Sequence, residues 1–351
     1  MKTFEDAVNY TGVSSEDREA WLKARRSGIG GSDAAAIMGL SPYTSALEVY
    51  ASKVSSEPMP EDDSEYLVWG REFEGPILNQ YARRTGRAVM RGGELLQSKR
   101  HPFLLVTLDA SQQSDGAEWA AGPGVVEVKT TADASRWKDD VPMEVQVQVQ
   151  HEMLVTGAVW ATAVVLPFPQ RKLAWQDVTP HTAFQATLLE ACEEFWRRVE
   201  RREPPLTDRS DSARRALAML YPDVAEVAIM LEDGASWADA YSALGNDIKE
   251  LEAQKQELAN RLKQTAGPCR YVLTGDGRFW DRTSVPAKDK HCPHCAKVIG
   301  NVAAHTKIQL RQRRKKPLPA PVEARMLLEA RSDLAAMLQA SLTEGENEDH
   351  G

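Results

Sequence analysis

The chain has 351 residues, of which 43 are Lys or Arg and 51 are Asp or Glu, so its formal net charge at pH 7 is −8. This length predicts two domains or one large domain with appendages, and a composition of 42% hydrophobic and 27% charged residues excludes wholesale disorder. The acidic balance excludes a uniformly basic coat for nucleic acid, four cysteines do not make a disulfide framework, and no apolar run approaches the roughly 18 residues of a membrane helix. We expect a cytoplasmic protein that has no membrane partner.

The first predicted elements enclose a glycine-rich turn. A polar helix is predicted over residues 15–26, the turn follows as Ser27-Gly-Ile-Gly-Gly-Ser-Asp33, and a helix of small residues begins at its end. Glycines allow close approach of the backbone, and the free N–H groups of a helix N-terminus bind phosphate. Because Ser32 begins the helix and Arg25 and Arg26 lie one turn earlier, we interpret the turn as a pocket for a 5′-phosphate. The alternative is a tight structural turn without a ligand.

Helices and strands then follow one another through the N-terminal part of the chain. The predicted helices lie at 44–53, 67–85, 143–156 and 182–200. The predicted strands lie at 89–97, 104–110, 122–128 and 160–166. The helix at 143–156 contains a Val–Gln alternation that is also typical of a strand, and Pro204-Pro205 closes the segment. We therefore assign residues 1–210 to a first domain.

The second segment, residues 211–285, is predicted to be mostly helical. It combines a short helix at 213–220, a long helix at 237–264 and a β-hairpin at 271–280, whose Asp-Gly pair suits a tight turn. Apolar residues on alternating 3- and 4-residue steps form a seam along the long helix, namely Leu244, Ile248, Leu251, Leu258 and Leu262. A seam of about three heptads is compatible with a short coiled coil, but we favour a helical hairpin packed on the main body.

The third segment, residues 286–351, combines a basic stretch, a helical pattern at 323–342 and a mostly acidic end. Cysteine and histidine side chains cluster near its start, namely His291, Cys292, Cys295 and His305. A Cys-x-x-Cys pair with two histidines predicts a small structural zinc site, and the alternative is a loop with reduced thiols. The basic residues up to Lys316 are interpreted as a phosphate-tracking surface or as a solvated linker.

Two predicted strands carry the residues that point most directly to chemistry. Asp109 lies at the end of one strand, and the next presents Glu127 and Lys129 two positions apart. Residues i and i+2 of a strand share a face, so Glu127 and Lys129 point the same way, and Asp109 joins them if the strands pair. Adjacent carboxylates repel each other unless a cation such as Mg²⁺ or Mn²⁺ neutralises them. With a lysine to orient water, the set predicts a metal-assisted phosphodiester hydrolase, whereas most such matches are surface charge on a strand.

Further polar residues lie on helices around this set. Glu74, on the helix at 67–85, is predicted to add a third acid to the metal shell, and the alternative is an ordinary solvated acid. Gln148 and Gln150 lie on a half-apolar segment, which indicates polar groups facing a site, and the alternative is a wet helix face. The neighbouring His151 is interpreted as structural.

Several motifs occur in order along residues 15–210. They are Arg25-Arg-Ser-Gly-Ile-Gly-Gly-Ser-Asp-Ala-Ala-Ala-Ile37, Ser41-Pro-Tyr43, Trp69-Gly-Arg-Glu-Phe-Glu74, Asp109, Glu127-Val-Lys129, Val147-Gln-Val-Gln-His151 and Phe195-Trp196 before Pro204-Pro205. In this order and spacing, the sequence resembles the YqaJ-type viral recombinase family, relatives of the phage lambda exonuclease. The departure lies after Asp109, where Ala110-Ser111 replace a commoner Asp-Gly turn.

The resemblance implies an α/β fold class, a PD-(D/E)XK nuclease core in which helices flank a mixed sheet, here with a helical C-terminal extension. It implies a Mg²⁺- or Mn²⁺-dependent exonuclease that degrades duplex DNA 5′→3′ from a 5′-phosphate end. The 3′ overhangs would pass to a single-strand annealing protein in homologous recombination. A ring-shaped homotrimer and, for a phage-encoded protein, the host-cell cytoplasm are further implications.

The resemblance also implies a role for each matching residue. The metal ligands match Asp109, Glu127 and Glu74, and the water-positioning lysine matches Lys129. The Gln-x-Gln motif near the site and the terminal-phosphate contacts match Gln148, Gln150, Ser32 and Arg25, with Arg26 as the alternative arginine.

Two other functions stay open from the sequence. One is a non-catalytic DNA-binding recombination accessory on a degenerate nuclease fold, against which the complete acid–acid–lysine set argues. The other is a related DNA-end-trimming nuclease with an iron–sulfur cluster. Such a cluster needs four neighbouring thiolates, and Cys192 lies far in sequence from Cys292 and Cys295.

Overall fold

The computed structural model divides the chain into two compact units, Met1–Glu226 and Val227–Gly351. Its described residues are 3–55, 64–113, 116, 120–168, 171–223, 226, 228–267, 269–274, 278–285, 288–291, 298–302 and 305–312. Among them, no helix combines the length and the apolar composition that crossing a bilayer requires.

The centre of the N-terminal unit is a five-stranded sheet with the strand order β2-β5-β6-β7-β8. Its strands are β2 (Ala88–Arg91), β5 (Ala110–Gln113), β6 (Pro123–Thr131), β7 (Ala161–Pro167) and β8 (Ala174–Val178). Strands β6 and β7 are parallel, and the other neighbouring pairs are antiparallel. A second, antiparallel sheet has the order β1-β3-β4, and its strands are β1 (Val8–Ser14), β3 (Glu94–Ser98) and β4 (Leu105–Thr107).

Helices surround these sheets in the N-terminal unit. They are α1 (Arg18–Arg25), α2 (Gly31–Ile37), α3 (Ala46–Val54), α4 (Glu65–Thr85), α5 (Met143–Thr156), α6 (Thr182–Arg201) and α7 (Asp211–Leu220). Helices α4 and α5 end at Gly86 and Gly157, whose positive φ angles of 72° and 70° suit a residue without a Cβ atom. The predicted fold class, a mixed sheet flanked by helices, is confirmed, and so is the helical assignment of residues 143–156.

Strand β6 is buried on both faces, and its residues alternate between two hydrophobic clusters. Val126 and Val128 pack with Ile77 and Tyr81 of α4, whereas Val125 belongs to the cluster that contains apolar residues of α5. Because successive side chains of a strand point to opposite faces, Glu127 points away from the face on which Val126 and Val128 contact α4. The predicted division of this strand into a valine face and a charged face is therefore confirmed.

Two predicted strands are each split in the structure, and both splits occur at one place. Strands β2 and β5 pair in the large sheet, while β3 and β4, their continuations, pair in the small one. At the crossing, Gly92 donates to the Asp109 carbonyl at 2.9 Å and Gly93, with φ 108°, donates to that of Leu108 at 3.0 Å. A Cβ atom on Gly92 would lie 2.0 Å from the Leu108 carbonyl oxygen, so this close crossing requires glycine. It leaves Asp109 at the junction of the two sheets.

Strands β1 and β8 are absent from the predicted elements. Both lie at sheet edges, and most of their residues are exposed or half-buried. An edge strand buries too few side chains to impose the apolar alternation from which a strand is predicted.

The N-terminal unit extends beyond residue 210, where the predicted first domain ends. Helix α7 packs on α3, and the Arg215 guanidinium donates twice to the carboxylate of Glu48, at 3.0 Å each. The Ser212 hydroxyl lies between these groups and accepts the N–H of Ser45 at 2.7 Å. These polar contacts tie residues 211–220 to the first unit, so the boundary lies at Glu226.

The C-terminal unit contains the predicted long helix, α8 (Gly234–Ala266), followed by strands. They are β9 (Tyr271–Leu273), β10 (Arg278–Val285), β11 (Lys288–His291), β12 (Val298–Val302) and β13 (His305–Gln312). Strands β9 and β10 form the predicted antiparallel hairpin. Within its described residues the unit holds one long helix in place of the predicted helical hairpin, and four residues of the apolar seam are 56–63% exposed. The predicted helical pattern at 323–342 lies outside the described residues.

Candidate functional site

Asp109, Glu127 and Lys129 converge where β6 passes the crossing between the two sheets. The carboxylate of Asp109 accepts the backbone N–H of Val128 at 2.7 Å, which places it beside the two charged residues of β6. Glu127 is buried, with 2% of the residue exposed, and one of its oxygens lies 2.5 Å from the Lys129 ammonium. The pairing that the sequence left conditional therefore exists, because β5 and β6 are neighbours in the sheet.

A closed ring of four side chains connects β6 with helix α5. Lys129 contacts Glu127 and also donates to the amide oxygen of Gln148 at 3.0 Å. The amide nitrogen of Gln148 donates to Glu152 at 3.1 Å, and the carboxyl group of Glu152 lies within hydrogen-bonding reach of Glu127. Gln148 thus holds the lysine by one end of its amide and Glu152 by the other. We call Glu127, Lys129, Gln148 and Glu152 the four-residue ring.

The acids of the site raise one another's pKa. Burial and then the negative charges of Glu127 and Glu74 raise the pKa of Asp109 well above its ordinary value. Burial and then the charge of Glu127 raise the pKa of Glu74, and the same causes raise that of Glu152 well above its ordinary value. Glu74 on α4 is thus electrostatically coupled to the acids on β5 and β6, as its predicted place beside the metal shell requires.

Lys129 is held as a cation by these acids. Burial by itself would lower the pKa of its ammonium group, but the negative charges of Glu127 and Asp109 outweigh burial and raise that pKa above its ordinary value. A lysine with a raised pKa is protonated at neutral pH. Its chemistry in this state is to donate hydrogen bonds and to stabilise negative charge.

Gln150 does not face the acids, which corrects its predicted place in the catalytic set. Its amide nitrogen donates to the Thr179 carbonyl at 2.8 Å, and its amide oxygen accepts the N–H of His181 at 3.0 Å. Residues i and i+2 of a helix point in nearly opposite directions, so Gln148 and Gln150 cannot both face one site. Gln150 instead fastens α5 to the start of α6. His151 is fully buried, and burial lowers its pKa to about 4, in agreement with a structural histidine.

Glu152 is the site residue that the sequence reasoning missed. It lies four positions after Gln148 on α5, so both side chains occupy one helix face. Its spacing of four from Gln148 on the predicted helix is the sequence signal that indicates it.

The glycine-rich turn lies next to the four-residue ring. Arg25 donates to the Ser32 hydroxyl at 3.1 Å, and its guanidinium stacks on the Trp21 ring at 4.6 Å. Burial by itself would raise the pKa of Asp33, but the charges of Lys53 and Arg25 outweigh it and lower the pKa to about 2. This acid therefore stays ionised and helps to hold Arg25 in place, at 3.4 Å.

A cavity of about 130 Å³ joins the turn to the four-residue ring. Arg25, Gly30 and Ser32 line it on the side of the turn, and Gln148 and Glu152 line it on the side of α5. Of the two arginines that the sequence left open, Arg25 lines the cavity together with Ser32, and Arg26 does not. The predicted phosphate pocket therefore adjoins Gln148 and Glu152, and these two residues connect it to Lys129 and Glu127.

Gly28 allows the turn to pack directly on the sheet. A Cβ atom at this position would lie 2.5 Å from the Phe103 carbonyl oxygen and 2.7 Å from Cγ of Leu105. We expect Gly28→Ala to lower the free energy of unfolding by about 1–3 kcal/mol, because overpacking must shift the strand backbone. Chemical denaturation measures this loss. Gly70→Ala on α4 is the control, because its Cβ atom would lie 3.8 Å from the hydroxyl oxygen of Thr130, an ordinary van der Waals contact. Equal loss in both variants would contradict the close packing.

The donor set of the cleft fits a hard divalent cation. Glu127 and Glu152 each have one buried carboxylate oxygen that no donor of the described residues reaches, and carboxylate oxygens are the ligands such ions bind. In the part of the chain that the structure describes, no three acidic, histidine or cysteine side chains already form a complete metal shell. Binding therefore requires the carboxylates to turn toward the ion. The predicted zinc ligands Cys292 and Cys295 lie outside the described residues, as do the side chains of His291 and His305.

Part of the first unit matches a known family model. Residues 20–159 match the model of the YqaJ-like viral recombinase domain. The chain is 27% identical over 270 residues to the protein YqaJ of Bacillus subtilis (strain 168). The aligned region covers 75% of this chain and 82% of that protein. These findings confirm the resemblance to the YqaJ-type viral recombinase family.

Two solved structures are similar at low sequence identity. One is an alkaline exonuclease (LHK-Exo) from Laribacter hongkongensis, with 18% identity, a TM-score of 0.43 and coverage of 58% of this chain and 100% of that chain. The other is a phage related exonuclease from Haemophilus somnus 129PT, with 13% identity, a TM-score of 0.38 and coverage of 50% of this chain and 94% of that chain.

Proposed function

We propose, from the YqaJ-like viral recombinase domain at residues 20–159, that this protein is a metal-dependent 5′→3′ exonuclease of double-stranded DNA. Its product is a duplex with 3′ single-strand overhangs for homologous recombination. The observation that supports this most directly is the cleft, in which an acid–acid–lysine set lies beside a pocket built from Arg25, Ser32 and the glycine-rich turn.

Each charged residue has a defined part in the proposed reaction. Asp109 and Glu127, with Glu74, hold the cation, which is Mg²⁺ or Mn²⁺ and which supplies Lewis-acid activation of water and phosphate when bound. Lys129 donates hydrogen bonds to the attacking water and stabilises the negative charge that develops on the phosphoryl oxygens. Gln148 keeps the lysine in position through its hydrogen bond of 3.0 Å.

The turn explains why such an enzyme would start at an end. The guanidinium of Arg25 and the hydroxyl of Ser32, which lie 3.1 Å apart, form an anion site that a terminal 5′-phosphate satisfies. Because the cavity continues from these groups to Gln148 and Glu152, the terminal phosphate and the cleaved bond are held at a fixed separation. Cleavage then proceeds in regular steps from the 5′ end.

Digestion of end-labelled duplexes tests the proposed function. The purified full-length protein should degrade a 5′-phosphorylated duplex in Mg²⁺, release label from the 5′-ended strand first, and stop when EDTA removes the metal. The same duplex with a 5′-hydroxyl end measures end preference. A protein that binds the duplex without degrading it in Mg²⁺ or Mn²⁺ would be the non-catalytic recombination accessory instead.

Arg25→Ala is expected to remove the preference for a phosphorylated end. A charge-assisted hydrogen bond to a phosphate contributes about 1.5–3 kcal/mol, so the rate on the 5′-phosphate duplex should fall about 10- to 100-fold, toward the rate on the 5′-hydroxyl duplex. Arg26→Ala is the matched control, because Arg26 does not line the cavity. The assignment fails if Arg26→Ala removes the preference and Arg25→Ala retains it.

We further propose one protein partner and one oligomeric state. The 3′ overhang is a substrate for a single-strand annealing protein, and the family resemblance points to a ring-shaped homotrimer that encloses the duplex. Sedimentation of the full-length chain tests the trimer, and co-purification with a candidate annealing protein tests the first partner.

A further inference from the structure

Glu152 is a buried carboxylate to which the proposed reaction gives no task. Only 1% of the residue is exposed, and its neighbour Glu127 is 2% exposed. The two carboxyl groups lie within hydrogen-bonding reach of each other. Each has one buried oxygen for which the described residues offer no donor. Two acceptors therefore face each other in a place from which water is largely excluded.

The other links of the four-residue ring are satisfied. Lys129 donates to Glu127 and to the amide oxygen of Gln148, and the amide nitrogen of Gln148 donates to Glu152. Each of these links joins a donor to an acceptor. Between Glu127 and Glu152 both groups accept, so this contact needs a positive species between the two oxygens.

The position of Glu152 indicates whether the positive species between the two carboxylates is a proton or a metal cation. Glu152 lines the same cavity as Arg25 and Ser32, which are proposed to hold the terminal phosphate. A carboxylate that is not neutralised would repel a phosphate in this cavity. A divalent cation removes that repulsion, since its charge exceeds that of the proton that would otherwise be shared between the two acids.

We propose that Glu152 is a ligand of a divalent cation, which it holds together with Glu127 at the end of the cavity that faces the glycine-rich turn. This inference rests on the proposed nuclease function and adds to it one acid, contributed by α5. The ion there would contact the phosphate of the strand being degraded, so cation binding and recognition of the DNA end depend on one another.

Glu152→Gln tests this assignment. A glutamine keeps the size of the side chain, still accepts from Gln148 and gives Glu127 the missing donor, so the ring closes without a cation. We expect the affinity of the metal-free full-length protein for Mn²⁺, measured by isothermal titration calorimetry, to fall at least about tenfold. The melting temperature of the metal-free variant should rise, since the buried oxygen of Glu127 gains a donor and the acceptor that faced it is removed. Glu144→Gln is the matched control on the same helix, because Glu144 pairs with Arg136 and should leave Mn²⁺ affinity unchanged.

A variant that is more stable but binds Mn²⁺ as tightly as the wild type would overturn the proposal, because a proton would then be the shared species. A measurement on the wild type covers the case of a variant that does not fold. Fe²⁺ in place of Mg²⁺, with ascorbate and peroxide, cleaves a chain next to the ligands of the ion. Cleavage at Glu152 on α5 as well as at Glu127 supports the assignment, and cleavage confined to the neighbourhoods of Asp109 and Glu127 overturns it.

These outcomes are separate from the test of the nuclease function. If the wild type fails to degrade any duplex, the nuclease proposal falls, whereas weaker Mn²⁺ binding by Glu152→Gln would still identify a cation ligand. If the wild type degrades duplex DNA and Glu152→Gln binds Mn²⁺ normally, only the role of Glu152 falls.

Discussion

Lys129→Ala is expected to slow cleavage of duplex DNA by about 10²- to 10⁴-fold while it leaves affinity for the duplex within a few fold. The ammonium group contacts the carboxylate of Glu127 at 2.5 Å and the amide oxygen of Gln148 at 3.0 Å. The negative charge of Asp109 also attracts it. Alanine removes the donor that stabilises the developing charge, but it leaves Arg25 and Ser32 to bind the DNA end. Single-turnover digestion of an end-labelled duplex and a filter-binding titration measure the two quantities.

Lys138→Ala is the control for this change. Lys138 is an exposed lysine next to the 3₁₀ helix Ala134–Trp137, so the same charge is removed outside the cleft. We expect its cleavage rate to stay close to that of the wild type. An unchanged rate in Lys129→Ala would remove the proposed mechanism, because that mechanism relies on the Lys129 ammonium to stabilise the developing negative charge.

Asp109→Asn is expected to slow cleavage at least about 10²-fold and, without metal, to make the protein more stable than the wild type. The amide oxygen of asparagine can still accept the N–H of Val128, which keeps the backbone contact. The negative charge is lost, and with it both the ligand for the cation and the repulsion from Glu127 and Glu74. Activity and stability therefore change in opposite directions, as expected of a residue retained for binding an ion.

The gain in stability of Asp109→Asn over the wild type should increase as the pH rises. Burial, Glu127 and Glu74 raise the pKa of Asp109 in the folded protein, so above the ordinary value of 3.8 the folded state holds more protons on this group than the unfolded state. The free energy of unfolding of the wild type then falls as pH rises from about 3.8 through the raised pKa. The stability of Asp109→Asn lacks this decrease. The difference between the two proteins should vanish below about pH 3.8 and grow toward neutral pH.

Thermal unfolding in EDTA between pH 4 and 8 measures this difference. Each kcal/mol corresponds to about 2–4 °C in melting temperature for a unit of this size. Asp139→Asn, at an exposed position, is the control and should follow the wild type. A wild type more stable than Asp109→Asn at neutral pH without metal would show that the carboxylate is satisfied by the protein alone, against the proposed cation site.

Local periodicity accounts for what could be predicted. The alternation around Glu127 and Lys129 is complete within β6, because a strand that is buried on both faces must place its charged pair on one of them. The glycine-rich turn could likewise be predicted, since clustered glycines interrupt helices and strands and the small residues after Ser32 favour a helix. In both cases the signal depends on residues close together in the chain.

The split strands and the kink beside Asp109 could not be predicted in the same way. The strands at 89–97 and 104–110 read as two continuous elements, because Gly92 and Gly93 break the pattern only where they meet Leu108 and Asp109 from the other strand. A bend that arises from contact between two segments has no signature in either one alone. The position of Asp109 therefore depends on a pairing distant in sequence.

The glutamines of α5 show that local sequence also fails to predict which way a single side chain faces. Their alternation is genuine, but Gln148 faces Lys129 whereas Gln150 binds the segment before α6, because the helix turns by about 100° at each residue. The chain alone thus specified which residue types are present and how often they recur. Which arginine faces the cavity, which glutamine holds the lysine and which extra acid joins the ring followed from long-range packing, since charges far apart in sequence act on each other only after folding has removed the water between them.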